Sequence, residues 1–296
     1  MPDICDYENS PWRTEFWRGR DYEDRAERIA LARLLPPRGT RLCEIGAGFG
    51  RLADFYLGYD QIILIDYARS MLQEARDHIL GDSRFTVYAS RFRFVAADLY
   101  NLPLADSALD TVVTVRVLHH VADIPRAFAE IARVVRPNGT YVLEHANKRH
   151  IKAILRYWLK RGPNPFTRDP LEFVKLNFDF HPRYIADNLR TVNFISQECR
   201  AVSTFRVATL KRIVPANILV TLDGLIQRPA ARLQLSPSLF VRAESAKPGA
   251  PNLNPILWRC VACGSTDIAE ARDALTCGAC SRVYPIMDGI IDFKLG

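Results

Sequence analysis

Three acidic residues stand at or near the ends of short apolar runs and could together hold one ligand. Glu44 lies in the first such run, Asp66 ends the second and Asp98 ends the third. Runs of this kind predict buried strands of a parallel sheet, whose ligands bind at the carboxyl ends of the strands. The three carboxylates are therefore expected at one edge of one sheet.

A glycine-rich loop accompanies the first acid. The run EIGAGFG at 44–50 lies between the first predicted strand and a helix predicted over 51–57. A dinucleotide site has the spacing G-x-G-x-x-G, which rests the pyrophosphate on a helix N-terminus, but here the third glycine comes one residue early and position 51 is Arg51. An acid beside the loop repels phosphate, whereas S-adenosylmethionine carries a cationic sulfonium and amine. The loop therefore favours S-adenosylmethionine.

The other two acids suit the rest of such a ligand. Asp66 lies 20 residues after Gly46, a separation at which an acid can accept the ribose hydroxyls. Asp98 is placed to accept from an adenine amino group, while a backbone N–H near Leu99 donates to the ring. The alternative is that both aspartates only cap turns or helices. Three acids at three successive strand ends favour the ligand.

The strands and helices that carry these acids are predicted from a sequence pattern in which apolar runs alternate with helical periodicity. It predicts an α/β fold with a Rossmann-like, mostly parallel sheet covered by helices on both faces. Strands are predicted over 41–45, 61–66, 92–98, 111–118, 140–144, 194–205 and 238–244. Helices are predicted around 26–34 and over 68–80, 124–135, 181–189 and 216–226, with a turn at 137–139 and an insertion at about 147–180.

The stretch 41–144 resembles class I S-adenosylmethionine-dependent methyltransferases, close to the small-molecule type 11 group. The matching motifs are EIGAGFG at 44–50, DYARSML at 66–72, ADL at 97–99, VLHHV at 117–121 and RPNG at 136–139. The resemblance implies a seven-stranded sheet whose last strand is antiparallel. It also implies a set of cofactor-binding residues: Glu44, Gly46, Ala47, Gly48, Gly50, Asp66, Tyr67, Met71, Asp98 and Leu99.

Within that set, the resemblance implies that Glu44, Gly46 and Gly48 line the methionine end of the cofactor. It also implies that Met71 packs near the adenine. Tyr22 resembles aromatic residues that close over the cofactor in this family, although a tyrosine that only packs the first helix is an equal alternative. Methyl transfer to a neutral hydroxyl, amine or activated carbon also needs a base, whereas transfer to a thiolate does not. His119 and His120 follow the fourth strand and are the candidate catalytic bases, with packing or capping as the alternative. Arg116 could pair with Glu44 or Glu144.

Four cysteines near the C-terminus form two C-x-x-C pairs, Cys260 with Cys263 and Cys277 with Cys280. This spacing predicts a tetrahedral four-thiolate site for a structural Zn²⁺, because four thiolates leave no position open for catalysis. Rubredoxin-like iron and disulfides are the lesser alternatives. A bound metal would also stabilise a segment too short to bury a core of its own.

The C-terminal segment also resembles small zinc-ribbon proteins that act as activator subunits of tRNA, rRNA and translation-factor methyltransferases. The resemblance implies a ribbon fused in cis, which either stabilises the catalytic domain or docks the substrate. We therefore predict a methyltransferase domain at 1–244, a proline-rich linker at 245–256 and a zinc ribbon at 257–296.

The composition is that of an ordinary globular protein. Of the 296 residues, 48% are hydrophobic and 25% are charged, which excludes a disordered or low-complexity chain. No window approaches the roughly 18 apolar residues of a membrane span, and the first residues lack the order of a signal peptide. We therefore expect a cytoplasmic protein.

The excess of positive charge is local. The net charge is +7, and six basic residues with no acid lie within 148–161. Trp158 and Leu159 lie across the helical pattern from the basic side chains. Three interpretations stay open for this basic stretch: a solvated helix face, contact with an anionic membrane surface, or contact with RNA phosphates.

Three hypotheses of function remain. We favour a methyltransferase acting on a small or lipid-like molecule. The second is an RNA methyltransferase guided by the ribbon and the basic stretch. The third is a cofactor-binding scaffold without catalysis. The sequence implies no obligate partner and does not identify the methyl acceptor.

Overall fold

A computed structural model of the protein describes residues 2–10 and 17–294. Its helices are α1 (Asp21–Leu34), α2 (Arg69–Gly81), α3 (Ile124–Val134), α4 (Ile151–Trp158), α5 (Pro182–Thr191), α6 (Ala208–Ile213) and α7 (Ala216–Leu233). Its strands are β1 (Gly39–Ile45), β2 (Tyr59–Asp66), β3 (Phe92–Ala96), β4 (Leu109–Thr114), β5 (Val135–Ala146), β6 (Leu171–Val174), β7 (Asn177–Asp179), β8 (Phe194–Val202), β9 (Ser238–Ser245), β10 (Ile268–Glu270), β11 (Ala274–Cys277), β12 (Val283–Met287) and β13 (Ile290–Asp292).

One mixed sheet organises the molecule. Its order is β10-β11-β12-β13-β3-β2-β1-β4-β5-β9-β8. Strands β3, β2, β1, β4 and β5 pair in parallel, and β9 runs antiparallel between β5 and β8. The predicted Rossmann-like architecture and its antiparallel late strand are therefore confirmed. The prediction of seven strands covers only part of the sheet. Within residues 2–10 and 17–294 the sheet has eleven strands, because C-terminal strands continue it.

Burial explains why the central strands pair in this way. In β2 the residues from Ile62 to Leu64 are fully buried, so the strand has no face in contact with water. Phe128 of α3 packs in the core on one face of the sheet, and Leu31 of α1 packs in the core on the other. Two apolar layers on a parallel sheet are what a continuous apolar strand requires.

Several element boundaries differ from the sequence-based prediction. The helix predicted over 51–57 is only a 3₁₀ turn, Ala53–Tyr56. Strand β4 ends at Thr114, and a second 3₁₀ turn, Leu118–His120, follows it. The predicted turn at 137–139 is part of β5, which starts directly after α3; Asn138 there has a φ of 58°.

The insertion contains α4 and a two-stranded sheet made by β6 and β7. It returns to the main sheet through a bridge between Asn147 and Phe180. Among the described residues no helix has both the length and the apolar character that crossing a membrane requires.

The C-terminal segment joins the main sheet at its β3 edge. Strand β13 pairs in parallel with β3, placing Ile290 beside Phe94 and Ile291 beside Val95. The preceding segment also contacts the larger part of the chain, because the Ala105 N–H donates to the Leu257 carbonyl at 2.8 Å. The predicted domain limits at 1 and 296 lie outside the described residues.

Candidate cofactor site

A cavity opens at the carboxyl edge of the sheet, where β1, β2 and β3 end. It brings together most of the residues that the sequence analysis singled out. The predicted residues that line it are Glu44, Gly46, Ala47, Gly48, Asp66, Tyr67, Met71, Asp98, Leu99 and His120. Gly50, Tyr22 and His119 are not among the described residues of its wall.

The glycine loop has the backbone conformation that favours glycine. Gly46 has a φ of 72°, and a Cβ atom built there would lie 2.2 Å from Cγ2 of Val117. Gly50 has a φ of 74°, and its Cβ would lie 3.2 Å from that of Ala75 in α2. The first glycine therefore lets the loop approach the segment after β4, and the third lets it pack on α2.

Asp66 accepts backbone hydrogen bonds that fix the glycine loop and the start of the next segment. The Gly48 N–H donates to Oδ2 of Asp66 at 2.8 Å, and the Ala68 N–H donates to Oδ1 at 2.9 Å. Burial raises the pKa of Asp66 to about 6, although these two amides oppose the rise. A carboxylate has about four acceptor positions, so Asp66 retains capacity for ligand hydroxyls.

Asp98 lies at the end of the cavity formed by β3. Its Oδ1 accepts the Tyr100 N–H at 2.7 Å, which closes a turn and fixes the carboxylate beside Leu99. Burial raises the pKa of Asp98 as well. Capping of turns and contact with a ligand are thus compatible roles for this residue.

Glu44 is the most deeply buried acid of the wall, with only 2% of its surface exposed. Burial raises its pKa to about 8, and the positive charge of Arg51 offsets part of the rise. Its Oε2 atom has no hydrogen-bond partner among the described residues. A buried carboxylate oxygen without a donor is energetically costly, so a cationic or hydrogen-bonding ligand group would stabilise it.

His120 lies on the cavity wall between two fixed partners. Its Nδ1 lies 2.9 Å from the Leu176 carbonyl, and its Nε2 lies 2.8 Å from the Tyr7 hydroxyl. Because a carbonyl only accepts, Nδ1 carries the proton and Nε2 accepts from Tyr7. Burial lowers the pKa of His120, which keeps the ring neutral near neutral pH.

The neighbouring His119 has a different environment. Its ring is tilted by 46° against that of His120, with 4.0 Å between the centroids. Burial is the main cause that lowers its pKa well below the ordinary value. Of the two predicted bases, only His120 is therefore placed to meet a bound molecule.

The position of Tyr22 corrects the prediction that it closes over the cofactor. Its hydroxyl donates to Oδ2 of Asp223 in α7 at 2.5 Å and accepts the Phe205 N–H at 3.0 Å. The side chain is 2% exposed and packs in the same core layer as Leu31 of α1. Tyr22 precedes Ala26 and Ala30 at intervals of four residues, so it belongs to the buried stripe of the helix.

Besides the predicted Tyr67, the aromatic residues Tyr7, Trp17, Phe49 and Tyr100 line the cavity. The Trp17 ring lies under two guanidinium groups, 4.1 Å from that of Arg51 and 5.6 Å from that of Arg116. Both arginines pair with the buried Glu27, at 2.9 and 3.4 Å. Residue type alone did not single out these side chains, because aromatic and basic residues are common elsewhere in the sequence.

The Arg116 pairing also differs from the prediction. The side chain pairs with Glu27 rather than with Glu44 or Glu144. The backbone N–H of Arg116 does donate to Oε2 of Glu144 at 3.0 Å, and the residue has a φ of 63°. A left-handed arginine at this position turns the chain sharply after β4.

An N-terminal segment, 3–7, closes one side of the cavity. It is fixed by Glu8, whose carboxylate accepts the Arg69 N–H at 2.6 Å and the Ser70 N–H at 3.0 Å. These are the first free amides of α2, so Glu8 caps the helix from a distant part of the chain. No local motif signals a cap that is 61 residues away in sequence.

The four C-terminal cysteines form a second cluster. Their Sγ atoms all lie within 4.8 Å of one another. The Cys260–Cys280 and Cys263–Cys277 sulfur pairs are each 3.6 Å apart, and the Tyr284 hydroxyl lies 3.0 Å from the Cys260 sulfur. The predicted ligand set is therefore brought together, and the sequence analysis did not identify Tyr284 as its neighbour.

Comparison with known proteins shows what the residues around this site are similar to. Residues 43–143 match the family described as a methyltransferase domain. Demethylmenaquinone methyltransferase of Clavibacter sepedonicus is 24% identical over 180 residues, which cover 60% of this chain and 62% of that protein. The matches span only 27% and 38% of the first two curated relatives, an uncharacterised transposon protein of Streptomyces fradiae and an uncharacterised methyltransferase of Arabidopsis thaliana.

Solved structures share the fold at low sequence identity. An S-adenosylmethionine-dependent methyltransferase from Listeria monocytogenes superposes with a TM-score of 0.54 and 12% identity, over 76% of this chain and 99% of that one. A chain from the Haloferax volcanii complex of the Trm112 methyltransferase activator and a methyltransferase superposes with a TM-score of 0.53 and 18% identity. The superposition covers 80% of this chain and 96% of that one. Residues 43–143 thus match a methyltransferase domain, and the chain shares the fold of these solved structures.

Proposed function

We propose that this chain is an S-adenosylmethionine-dependent methyltransferase. The observation that carries the proposal is the meeting of three carboxylates and a glycine loop on one cavity wall, one of them the buried Glu44 with an unpartnered oxygen. The domain match supports the same cofactor class. A phosphate-rich dinucleotide is disfavoured because the third glycine comes one residue early for G-x-G-x-x-G, and because only a 3₁₀ turn, Ala53–Tyr56, follows the loop.

The residues present fit this cofactor end by end. Asp66 would accept the ribose hydroxyls, and Asp98 with Leu99 would hold the adenine edge. Glu44 would face the cationic methionine end. The cofactor supplies a methyl group on a sulfonium, which transfers by in-line displacement.

The chain's own contribution is to align the acceptor and to manage its proton. Fixing two reactants in line accounts for a large part of the acceleration of such a reaction. His120, held neutral and hydrogen-bonded to Tyr7, would take the proton of a hydroxyl or amine acceptor through Nε2. That step requires the Tyr7 hydroxyl to move aside or to relay the proton.

We favour a small or lipid-like acceptor. Leu99, Val117 and Val121 give the cavity an apolar side, and the similar protein from Clavibacter sepedonicus is named for a quinone substrate. RNA is the alternative acceptor, and a non-catalytic scaffold is the alternative to an enzyme.

We also propose that the cysteine cluster holds a structural zinc ion. A regular tetrahedron with bonds of about 2.3 Å places sulfur atoms about 3.8 Å apart, close to the 3.6 Å separations found here. Amides of the first knuckle and the Tyr284 hydroxyl direct hydrogen bonds to the Cys260 sulfur, which favours a thiolate. The ion would hold the ribbon strands that extend the sheet at β3.

Calorimetric titration with S-adenosylmethionine tests the cofactor proposal. We expect one molecule to bind, and the substitution Asp66→Asn to weaken binding at least about tenfold, since a charged acceptor is lost. Asp60→Asn is the matched control, because Asp60 is exposed at the opposite end of the same strand. Binding of nicotinamide dinucleotide but not of S-adenosylmethionine would contradict the proposal.

Transfer of a labelled methyl group identifies the acceptor class. Extract separated into lipid, small-molecule, protein and RNA fractions is incubated with the chain and labelled cofactor. We expect label in the lipid or small-molecule fraction. Label in RNA would establish the alternative, and cofactor binding without label in any fraction would indicate the scaffold.

A further inference from the structure

A second cleft lies beside the cofactor cavity, and its wall is almost entirely cationic. Segments that are distant in sequence meet there: the start of α1, one residue of α4, and the region around α6. Its described lining residues are Arg18, Gly19, Arg20, Glu23, Lys152, Arg206, Ala208, Lys211 and Arg212, which we call the cationic cleft. It adjoins the first cavity, since Trp17 lines that cavity and the next residue lines this one.

The positive charge of the cationic cleft is only partly compensated. Glu23, the single carboxylate among the described residues of its wall, is 3% exposed. It lies 2.7 and 2.8 Å from the ammonium group of Lys211 and 3.9 Å from the guanidinium of Arg206. Burial lowers the pKa of Arg20, and the charge of Arg206 lowers it further. Six basic side chains against one acid leave a concentrated positive field.

The helix that contributes Lys152 to the cationic cleft also carries apolar side chains that face solvent. On α4, Ile151, Leu155 and Trp158 are 52%, 49% and 67% exposed. Their spacing of four and then three residues places them on one stripe of the helix, whereas Ile154 is buried against the protein. Lys152 of the same helix donates to the Arg206 carbonyl, which ties the stripe to the cleft.

Two further exposed apolar residues adjoin these elements in sequence. Ile213, at the end of α6, is 80% exposed and directly follows Arg212. Leu159, just after α4, is also largely exposed. We call these five side chains the apolar rim: Ile151, Leu155, Trp158, Leu159 and Ile213. An amphipathic helix usually buries its apolar stripe, so a rim turned to solvent indicates an external partner.

We propose that the cationic cleft and the apolar rim form a docking surface for a membrane of anionic phospholipids. Lipid phosphates would enter the cleft while the rim inserts among the acyl chains, the arrangement by which amphipathic helices lie in a membrane interface. Both components are needed, because a basic surface alone gives weak, salt-sensitive attraction. The proposal does not depend on the methyltransferase assignment.

The composition of the rim favours lipid over RNA. Proteins that bind single-stranded nucleic acid stack its bases on aromatic rings beside a basic groove. Four of the five rim residues are aliphatic and offer no stacking surface. Acyl chains, in contrast, are well suited to isoleucine and leucine.

Co-sedimentation with vesicles tests the proposal on the full chain. We expect binding to vesicles of phosphatidylglycerol and phosphatidylcholine in equal amounts, weakening with salt, and little binding to phosphatidylcholine alone. Lys152→Gln and Arg212→Gln should each lower vesicle affinity about fivefold. Leu155→Ser and Trp158→Ser should each lower it about tenfold.

Matched controls remove similar groups elsewhere. Arg190→Gln removes an exposed arginine of α5, and Val87→Ser removes an apolar side chain that is 77% exposed. Neither should change vesicle binding. In the unmodified chain a quencher attached to acyl chains should reduce tryptophan fluorescence, and Trp158→Phe should remove most of that effect while the chain still sediments. This readout remains informative if a serine variant folds poorly.

Several outcomes would overturn the proposal. Equal binding to neutral and anionic vesicles, or binding that the cleft and rim variants leave unchanged, would exclude this surface as the docking site. Retention by RNA in the same salt range without retention by vesicles would assign the cleft to nucleic acid instead. Absence of lipid-dependent quenching in a chain that sediments would place the contact elsewhere.

Discussion

The Tyr7 hydroxyl donates a hydrogen bond of 2.8 Å to Nε2 of His120, across 113 residues of sequence. The bond joins the N-terminal segment to the turn after β4 on the wall of the cofactor cavity. Because the Leu176 carbonyl accepts from Nδ1, the only proton-accepting atom of His120 points toward Tyr7. The pair is therefore where we expect proton transfer in the proposed methylation.

Replacing His120 should separate catalysis from packing. We expect His120→Gln to lower kcat by about 10²–10⁴ for a hydroxyl or amine acceptor, the usual contribution of a general base. The affinity for S-adenosylmethionine should stay nearly constant. Because burial lowers the His120 pKa, kcat of the unmodified enzyme should fall only when the pH drops below the ordinary histidine range.

His119→Gln is the control for this measurement. His119 is adjacent in sequence but is not among the described residues of the cavity wall. We expect its replacement to affect stability rather than kcat. Equal losses of kcat in the two variants would show that neither histidine acts as the base.

Glu44 should release protons when the cofactor binds. Burial raises its pKa to about 8, so the carboxyl is mostly protonated in the free protein at pH 7. A cationic ligand favours the ionised form, and binding should then expel a proton. Calorimetry in buffers of different ionisation enthalpy measures that proton, and Glu44→Gln should reduce the number released.

The same pKa gives a pH dependence of stability. A carboxyl whose pKa is raised on folding stabilises the native state below its unfolded pKa, and this stability is lost as the pH rises to about 8. Without ligand, Glu44→Gln should therefore become more stable than the unmodified chain, by up to a few kcal/mol, as pH increases from about 5 to 9. Thermal unfolding at several pH values measures the difference. Parallel curves for the two proteins would contradict the raised pKa of the buried Glu44.

Gly46 should tolerate no side chain. At its φ of 72° a Cβ would lie 2.2 Å from the Val117 side chain, so Gly46→Ala combines backbone strain with a steric clash. We expect a loss of at least about 2 kcal/mol in the free energy of unfolding, and weaker cofactor binding. Chemical denaturation and calorimetry provide the two measurements.

Gly81 provides the matched glycine control. It ends α2, and a Cβ there would meet nothing within 4 Å. Gly81→Ala should leave binding unchanged and alter stability by no more than about 1 kcal/mol, in the stabilising direction. If both substitutions were equally mild, close packing of the loop against Val117 could not be what requires glycine at position 46.

Removing a ligand of the proposed zinc site should loosen the sheet at its β3 edge. We expect one zinc ion per chain by metal analysis, and Cys280→Ser or a strong chelator to lower both the zinc content and the Tm. Hydrogen exchange should increase in β12 and β13. Cys199→Ser, at a cysteine outside the cluster, should retain the metal; a metal-free chain with unchanged Tm would contradict the proposal.

Tyr22 should matter for folding and not for the cofactor. Tyr22→Phe removes a hydrogen bond to the buried Asp223, at a cost of about 1.5–3 kcal/mol in the free energy of unfolding. Affinity for S-adenosylmethionine should stay close to that of the unmodified chain. Trp17→Ala should instead lower the affinity for S-adenosylmethionine more than it lowers the free energy of unfolding, because Trp17 lines the cavity. A large loss of affinity in the Tyr22 variant would restore the original prediction.

The sequence by itself determined the central sheet and the acidic edge of the cavity. Ile62 to Ile65 form an apolar run that only a buried strand accommodates, and the strand places Asp66 at the edge. Glycine at 46 and acids at 44, 66 and 98 are local signals, because strand ends and left-handed turns depend mainly on neighbouring residues. The four cysteines are equally local, since each pair is fixed by its own short loop.

Only the tertiary structure decided which long-range neighbours complete the cavity. Adjacent histidines differ because the 3₁₀ turn rotates only His120 toward Tyr7. The pairing of β13 with β3 uses backbone hydrogen bonds, which any sequence can make, so composition carries no signal for it. Contacts such as Glu8 on α2 or Lys152 on the Arg206 carbonyl depend on the positions of whole elements in space, which no short window of sequence records.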